Sequence, residues 1–219
     1  QVICDFINSE DIVITPDKKF LFMSQMGSIA PWGENESGYF AIMDLSNNKK
    51  IIPKITLEEN TWGEETCSRK DDDEYGPHGI DLVERNDGRY QIGVISHHPK
   101  ESVEMFELKK NDLSWEIIWR GCVNVPDKFY FNDLSLKKDG SFYASHMYKR
   151  DITMNEWFMI ALLKNNSGNI VLWENSSFTE IEGSEGSSPN GLVLDEESNT
   201  LYISYNLDDK VTIFDLSNN

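Results

Sequence analysis

Cysteine, positive charge and long apolar runs are all scarce in this chain, and each scarcity argues against a class of function. The three cysteines, Cys4, Cys67 and Cys122, form no C-x-x-C pair. Zinc-ribbon and thioredoxin-type chemistry therefore have no support, and an odd number cannot all pair within one chain. Lys and Arg total 20 against 38 Asp and Glu, a formal net charge of −18. Such a balance repels a phosphate backbone, which speaks against a nucleic-acid partner. The longest apolar stretches, such as Met159 to Leu163, are strand-sized and far short of the roughly 18 residues of a membrane-crossing helix. There is no G-x-S-x-G elbow, Walker loop or G-x-G-x-x-G fingerprint. No signal-peptide pattern is visible, although Gln1 in place of Met leaves room for an upstream segment. The sequons at Asn35, Asn165 and Asn175 are about what chance supplies in a chain so rich in Asn and Ser, and they fix no compartment. The acidic run Asp71-Asp72-Asp73-Glu74 reads as a solvated loop, because adjacent side chains do not converge on an ion unless the loop folds around it.

What the chain does contain is a fourfold repeat. Ser9-Glu10-Asp11-Ile12, Pro77-His78-Gly79-Ile80, Phe131-Asn132-Asp133-Leu134 and Pro189-Asn190-Gly191-Leu192 each open one copy. An alternating apolar strand follows, then a turn rich in Asp, Asn, Gly or Lys, then a second strand ending in Ser or His. The second residues of the openings, Glu10, His78, Asn132 and Asn190, lie 68, 54 and 58 residues apart.

Repeats of this length, built from several short strands, are the sequence form of a β-propeller. The expectation is an all-β chain forming a single propeller domain over 1–219. Its blades span about 9–60, 77–120, 130–175 and 188–219. Third strands are expected at Tyr39–Leu45, Ser102–Leu108, Phe158–Lys164 and Lys210–Leu216. Fourth strands are expected at Lys50–Ile55, Trp115–Trp119 and Asn169–Trp173. The last blade has no candidate for an outer strand, and exposed edges of that kind are avoided. The reading is therefore a piece of a longer propeller, with a four-bladed ring closed by a strand such as Gln1 to Ile7 as the alternative. Two long polar connections, Met26–Gly38 with its Trp32 and Met147–Trp157, are candidate lids.

The innermost strands of propeller blades start near one axis, so equivalent first-strand residues are expected to converge. Glu10, Asn132 and Asn190 offer carboxylate and amide oxygens, and Asp11 and Asp133 directly follow two of them. Hard oxygen donors without thiolates, and with few imidazoles, favour calcium over zinc or copper. Neighbouring strand residues point to opposite sides. Glu10 and Asn132 are thus expected to face one ion, and Asp11 and Asp133 a second. His78 occupies a ligand position and His97 ends the adjacent strand. An imidazole whose proton a second imidazole takes up is a suitable general base near neutral pH. The side chain of His98 should face the other way, and His146 could line the same pocket.

With Ser9-Glu10-Asp11, Pro77-His78-Gly79-Ile80, Val94 to His97 followed by Ser102-Val103-Glu104-Met105-Phe106, Asn132-Asp133 and Asn190-Gly191 in this order, the sequence resembles the paraoxonase/arylesterase family. That family lies within the calcium-dependent six-bladed propellers that include gluconolactonases and strictosidine synthase-like proteins. The resemblance implies a catalytic calcium held by Glu10, Asn132 and Asn190, and a structural calcium held by Asp11, Asp133 and the carbonyl of Ile80. It also implies a His78–His97 dyad that activates water, with a small-molecule lactone or aryl ester as substrate. The chain departs from the family pattern in two places. An adjacent Asp-Asn ligand pair of a later blade has no counterpart, and Cys4 does not sit where paraoxonases begin their closing disulfide. Within the same group of propellers, a sugar-acid lactonase of gluconolactonase type is the rival reading. A non-catalytic, calcium-stabilised binding module is the rival from outside enzymology.

Overall fold

A computed structural model describes residues 4–111 and 115–218. The chain divides into two compact units, the first comprising Gln1–Ser28 and Asn35–Asn124, the second Ile29–Glu34 and Val125–Asn219. Each holds two antiparallel meanders. The N-terminal strand of the alternative closed ring, Gln1 to Ile7, lies partly outside the described residues, and residues 4–7 form no strand. Among the described residues, no helix is long and apolar enough to cross a membrane.

In the first unit, β1 (Ser9–Ile14), β2 (Phe20–Gln25), β3 (Tyr39–Asp44) and β4 (Lys49–Ile51) pair in sequence order. The next sheet contains β5 (Ile55–Leu57), β6 (Pro77–Glu84), β7 (Tyr90–Ser96), β8 (Ser102–Lys110) and β9 (Trp115–Asn124), in the order β5-β9-β8-β7-β6. The fourth strand expected at Lys50–Ile55 is therefore corrected. It stops at Ile51, and Ile55 begins β5, which crosses over to pair parallel with β9. Pro53 lies in the gap, and its nitrogen has no hydrogen to give a ladder. Phe22, Phe40, Ile42, Ile80, Ile92, Val94, Phe106 and Trp119 form the core that the two sheets share.

The second unit contains β10 (Phe131–Leu136), β11 (Phe142–His146), α1 (Met154–Leu163), β12 (Asn169–Glu174) and β13 (Ser177–Glu180), followed by β14 (Pro189–Asp195), β15 (Thr200–Tyr205) and β16 (Lys210–Asp215). The strands pair as β10-β11-β12-β13 and as β14-β15-β16. Two expectations are corrected here. Phe158–Lys164, expected as a third strand, is the body of a helix, and Asn169–Trp173, expected as a fourth, is the third. The helix starts at a capping box, in which the Thr153 side chain accepts from Glu156 N–H and the Glu156 carboxylate accepts from Thr153 N–H. It ends where Lys164 turns left-handed at φ 52°. The candidate lid Met147–Trp157 is thus half loop and half helix. The edge-to-face partner of its Trp157, 5.3 Å away, is Trp32 of the other candidate lid.

The turns obey local chemistry. Gly88, at φ +80°, follows Asp87 between β6 and β7, a backbone region that costs a residue with a Cβ and costs glycine nothing. Asp44 gathers the Ser46 and Asn47 side chains into the tight turn before β4.

Cys67 and Cys122 form a disulfide 55 residues apart in sequence, and Cys4 is free and exposed. The bond ties the loop before β6 to the buried strand β9. A closed loop of that length removes about 4 kcal/mol of conformational freedom from the unfolded chain. Cys67→Ser should therefore lower the free energy of unfolding in urea by a similar amount. Cys4→Ser should change it by less than about 0.5 kcal/mol; equal effects would mean that the disulfide carries no stability.

Candidate active site

All four openings break their ladder in the same way. The register slips between Ser9 and Ile12, Pro77 and Ile80, Phe131 and Leu134, and Pro189 and Leu192, always against the end of the second strand. The serine near the end of that second strand bridges the gap. Ser24 Oγ accepts from Asp11 N–H at 3.0 Å, and Ser145 Oγ accepts from Asp133 N–H at 3.0 Å. In the fourth blade Ser204 Oγ donates to the Gly191 carbonyl at 3.2 Å. The bulge re-aims the residues at the mouth of the strand, a common use of such irregularities near functional sites.

Asp11 and Asp133 act alike. Asp11 accepts from Ile12 N–H at 2.7 Å and, across to the next sheet, from Ile80 N–H at 2.8 Å. Asp133 accepts from Leu134 N–H at 2.8 Å and from Leu192 N–H at 2.7 Å. Each carboxylate therefore clamps the first strand of one blade to the first strand of the next, within its own unit. Burial lifts the Asp11 carboxyl above its ordinary value, while the Ile80 and Ile12 amides pull it back down. A signal for this clamp is present in the sequence: Asp at the third position of the first and third openings, Gly at the third position of the second and fourth.

Glu10 and His78 meet in the first unit. His78 Nε2 lies 3.2 Å from Glu10 Oε1. On its other side, His78 Nδ1 lies 2.8 Å from His97 Nε2, and His97 Nδ1 lies 2.7 Å from Glu101 Oε1. A continuous row, Glu10–His78–His97–Glu101, results. Its last three members are almost wholly enclosed, with His78 3%, His97 2% and Glu101 5% exposed. Sequence reasoning misses Glu101, since a glutamate four residues beyond a histidine in a loop carries no pattern of its own.

The turn bearing His97 and Glu101 is braced from several directions. The Gly76 carbonyl accepts from His97 N–H, and Gly76 N–H donates to Ser96 Oγ. A Cβ on Gly76 would come within 2.8 Å of residue 98, so only glycine permits this approach. Arg69 donates to the His98 carbonyl and is itself held by Glu104, a fully buried pair at 2.8 Å. Glu104 in turn accepts from Ser102 Oγ and Trp119 Nε1. His98 points elsewhere, its Nε2 4.0 Å from Glu74.

The remaining candidates lie in the second unit. Asn132 is buried, with Nδ2 3.7 Å from Met147 Sδ, and Asn190 Oδ1 accepts from Gly191 N–H. His146 is committed to structure, its Nδ1 accepting from Tyr130 N–H at 3.0 Å and its ring packed edge-on against Phe129. A cavity of about 550 Å³ opens beside α1, walled by Tyr148, Ile152, Met159 and Ile160.

Among the described residues, no three His, Cys, Asp or Glu side chains gather into a group that could hold a metal ion. One observation nevertheless fits a cation: Glu10 Oε2 is buried and has no hydrogen-bond partner, an arrangement that leaves a carboxylate oxygen without compensation.

The folds of solved structures agree with the repeat. The β-propeller domain of Myceliophteria thermophila Cps50 (Swd1) superposes with a TM-score of 0.51 at 14% identity, over 95% of this chain and 54% of that one. A structure described as an oxidoreductase (glucose dehydrogenase) from Thermus thermophilus gives 0.50 at 11% identity, over 97% of this chain and 64% of that one. The chain thus spans about half to two thirds of the structures it resembles, and its fold is that of an all-β propeller with four blades present. No curated protein matches it. The arylesterase family model matches residues 2–219, so the chain belongs to the arylesterase family.

His97 and His146 are both held below the ordinary histidine value of 6.5, chiefly because burial disfavours the charged ring. From those depressed values up to about 6.5 the unfolded chain binds more protons than the native one, so stability should rise with pH across that window and level off above it. Urea unfolding at a series of pH values measures this. His146→Phe should flatten part of the rise, and an unaltered slope would show that His146 contributes none of it.

Proposed function

We propose that this protein is a calcium-dependent hydrolase of lactones or aryl esters. The observation that carries the reading is the buried His78–His97 pair, with nitrogen atoms 2.8 Å apart, in a member of the arylesterase family. A purely structural ion site needs neither imidazole. The sequence of events is water attack on the ester carbonyl carbon as His78 removes a proton from that water, with His97 sharing the gained charge. The tetrahedral intermediate then expels the alkoxide or phenoxide, which takes the proton held by the His78–His97 pair and returns that pair to its neutral form.

Glu10, with its uncompensated Oε2, would hold the cation in the first unit; Asn132 and Asn190 are the donors that the repeat offers in the second. Calcium bound there would supply Lewis-acid polarisation of the carbonyl oxygen. Asp11 and the Ile80 carbonyl in the first unit, and Asp133 in the second, are the donors proposed for structural calcium. Each aspartate oxygen that accepts one backbone N–H retains a further lone pair for it.

The test is a panel of aryl esters, aliphatic lactones and sugar-acid lactones, assayed with the full-length protein with and without a calcium chelator. Activity on the first two, lost on chelation, is the expected result, and preference for the sugar-acid lactones would shift the reading to the gluconolactonase type. His78→Gln should cut turnover by about 10²–10⁴-fold with little change in melting temperature. Hydrolysis by His78→Gln at the wild-type rate would remove the base from the mechanism. A calcium-loaded wild type inert on the whole panel would leave a binding module. Excess calcium should also raise the melting temperature, since an ion that binds only the native state stabilises it by mass action.

A further inference from the structure

We infer that Glu101 is the positioning residue that sets the tautomers of both histidines and so decides which nitrogen of His78 is the base. The inference rests on His78 being that base. Glu101 lies at the closed end of the row, 5% exposed. Its Oε1 meets His97 Nδ1 at 2.7 Å, and its Oε2 is buried without a hydrogen-bond partner.

An ionised carboxylate only accepts hydrogen bonds, so His97 Nδ1 carries the hydrogen. Neutral His97 then presents a bare Nε2 to His78 Nδ1 at 2.8 Å, and the hydrogen in that gap belongs to His78 Nδ1. Neutral His78 is left with Nε2 as its basic nitrogen, on the Glu10 side at 3.2 Å from Oε1.

The opposite arrangement would put hydrogens on both Nε2 atoms. The His78 hydrogen would then serve Glu10 and the His97 hydrogen would serve His78 Nδ1, which leaves Glu101 charged and unpaired. The exposures decide between the two. The Glu10 side chain is 22% exposed while that of Glu101 is 4%, and an uncompensated charge costs far more where water is excluded. The hydrogens therefore run toward Glu101. When water gives its proton to His78 Nε2, the row gains its third hydrogen, and one imidazolium charge lies between two carboxylates. The Nε2 lone pair takes the proton as water's oxygen bonds to the carbonyl carbon and the carbonyl π pair moves onto its own oxygen, with no oxidation or reduction.

The experiment is nitrogen-15 NMR of histidine-labelled full-length protein above the imidazole titration range, reading the tautomer of each ring from its two-bond couplings. The wild type should show both His78 and His97 protonated at Nδ1, with a low-field proton on His97 Nδ1. Glu101→Gln, whose amide can donate or accept, should lose that resonance and populate the Nε2–H form of both rings. Its kcat should fall by about 10- to 100-fold with KM unchanged, less than the loss when the buried aspartate of a catalytic triad is replaced. Glu101→Asp should recover part of both.

Wild-type rings protonated at Nε2 overturn the inference without need of any variant. So does a Glu101→Gln protein with wild-type tautomers and kcat. The tautomers are read without substrate, so wild-type protein that hydrolyses nothing but shows the expected tautomers, lost in Glu101→Gln, supports the tautomer assignment while removing the hydrolase reading.

Discussion

The carboxylate clamp between adjacent blades is the constraint on which the rest of each unit depends. Strands within one blade hold one another through their ladders, but two blades meet mainly through side chains, and apolar packing alone does not fix how far one slides along the other. Asp11 and Asp133 supply that registration by accepting backbone N–H groups from the neighbouring blade. Charge-assisted hydrogen bonds of this kind contribute about 1.5–3 kcal/mol each. The register slip at each blade opening leaves ladder groups free for such a bond, and the serine on the adjacent strand takes up what the slip would otherwise orphan.

In the first unit the clamp also fixes the chemistry. Asp11 sits next to Glu10 and bonds to Ile80, two residues beyond His78. The contact that registers the blades thereby holds Glu10 Oε1 3.2 Å from His78 Nε2. The other half of the row is held independently. His97 and Glu101 share one short turn, and Arg69 grips that turn by the His98 carbonyl while its own charge is matched by Glu104. A buried pair of this sort adds little net stability compared with apolar packing. Its effect is geometric, as it keeps the turn from shifting relative to β8.

The equivalence of the four blade openings was legible because it recurs. Glu10, His78, Asn132 and Asn190 could be lined up from sequence since each precedes the same alternation of apolar residues, and the period-two pleat fixes which neighbours share a face. Glu101 was not legible, because its partnership with His97 arises from the path of a loop, which no periodicity records. Nor was the Cys67–Cys122 bond: three cysteines allow three pairings, and only the approach of the loop before β6 to β9 selects one. The helix α1 was missed for a different reason. Its signal, Thr153 three residues before Glu156, was in the sequence, but the apolar run after it suits a strand of the expected repeat equally well.

The sequence by itself determined the blade repeat, the turns between strands, the absence of any apolar segment fit to cross a membrane as a helix, and the chemical kind of residue at each blade mouth. All of these are set by interactions between residues close in the chain. Tertiary structure decided which polar groups meet: Asp11 with Ile80, Asp133 with Leu192, His78 with Glu10, His97 with Glu101. The first three of those pairs join residues 59 to 69 positions apart, and the fourth depends on a turn braced by Arg69. Hydrogen bonds act over about 3 Å, so contacts of this kind exist only once burial of the shared core has brought their strands together.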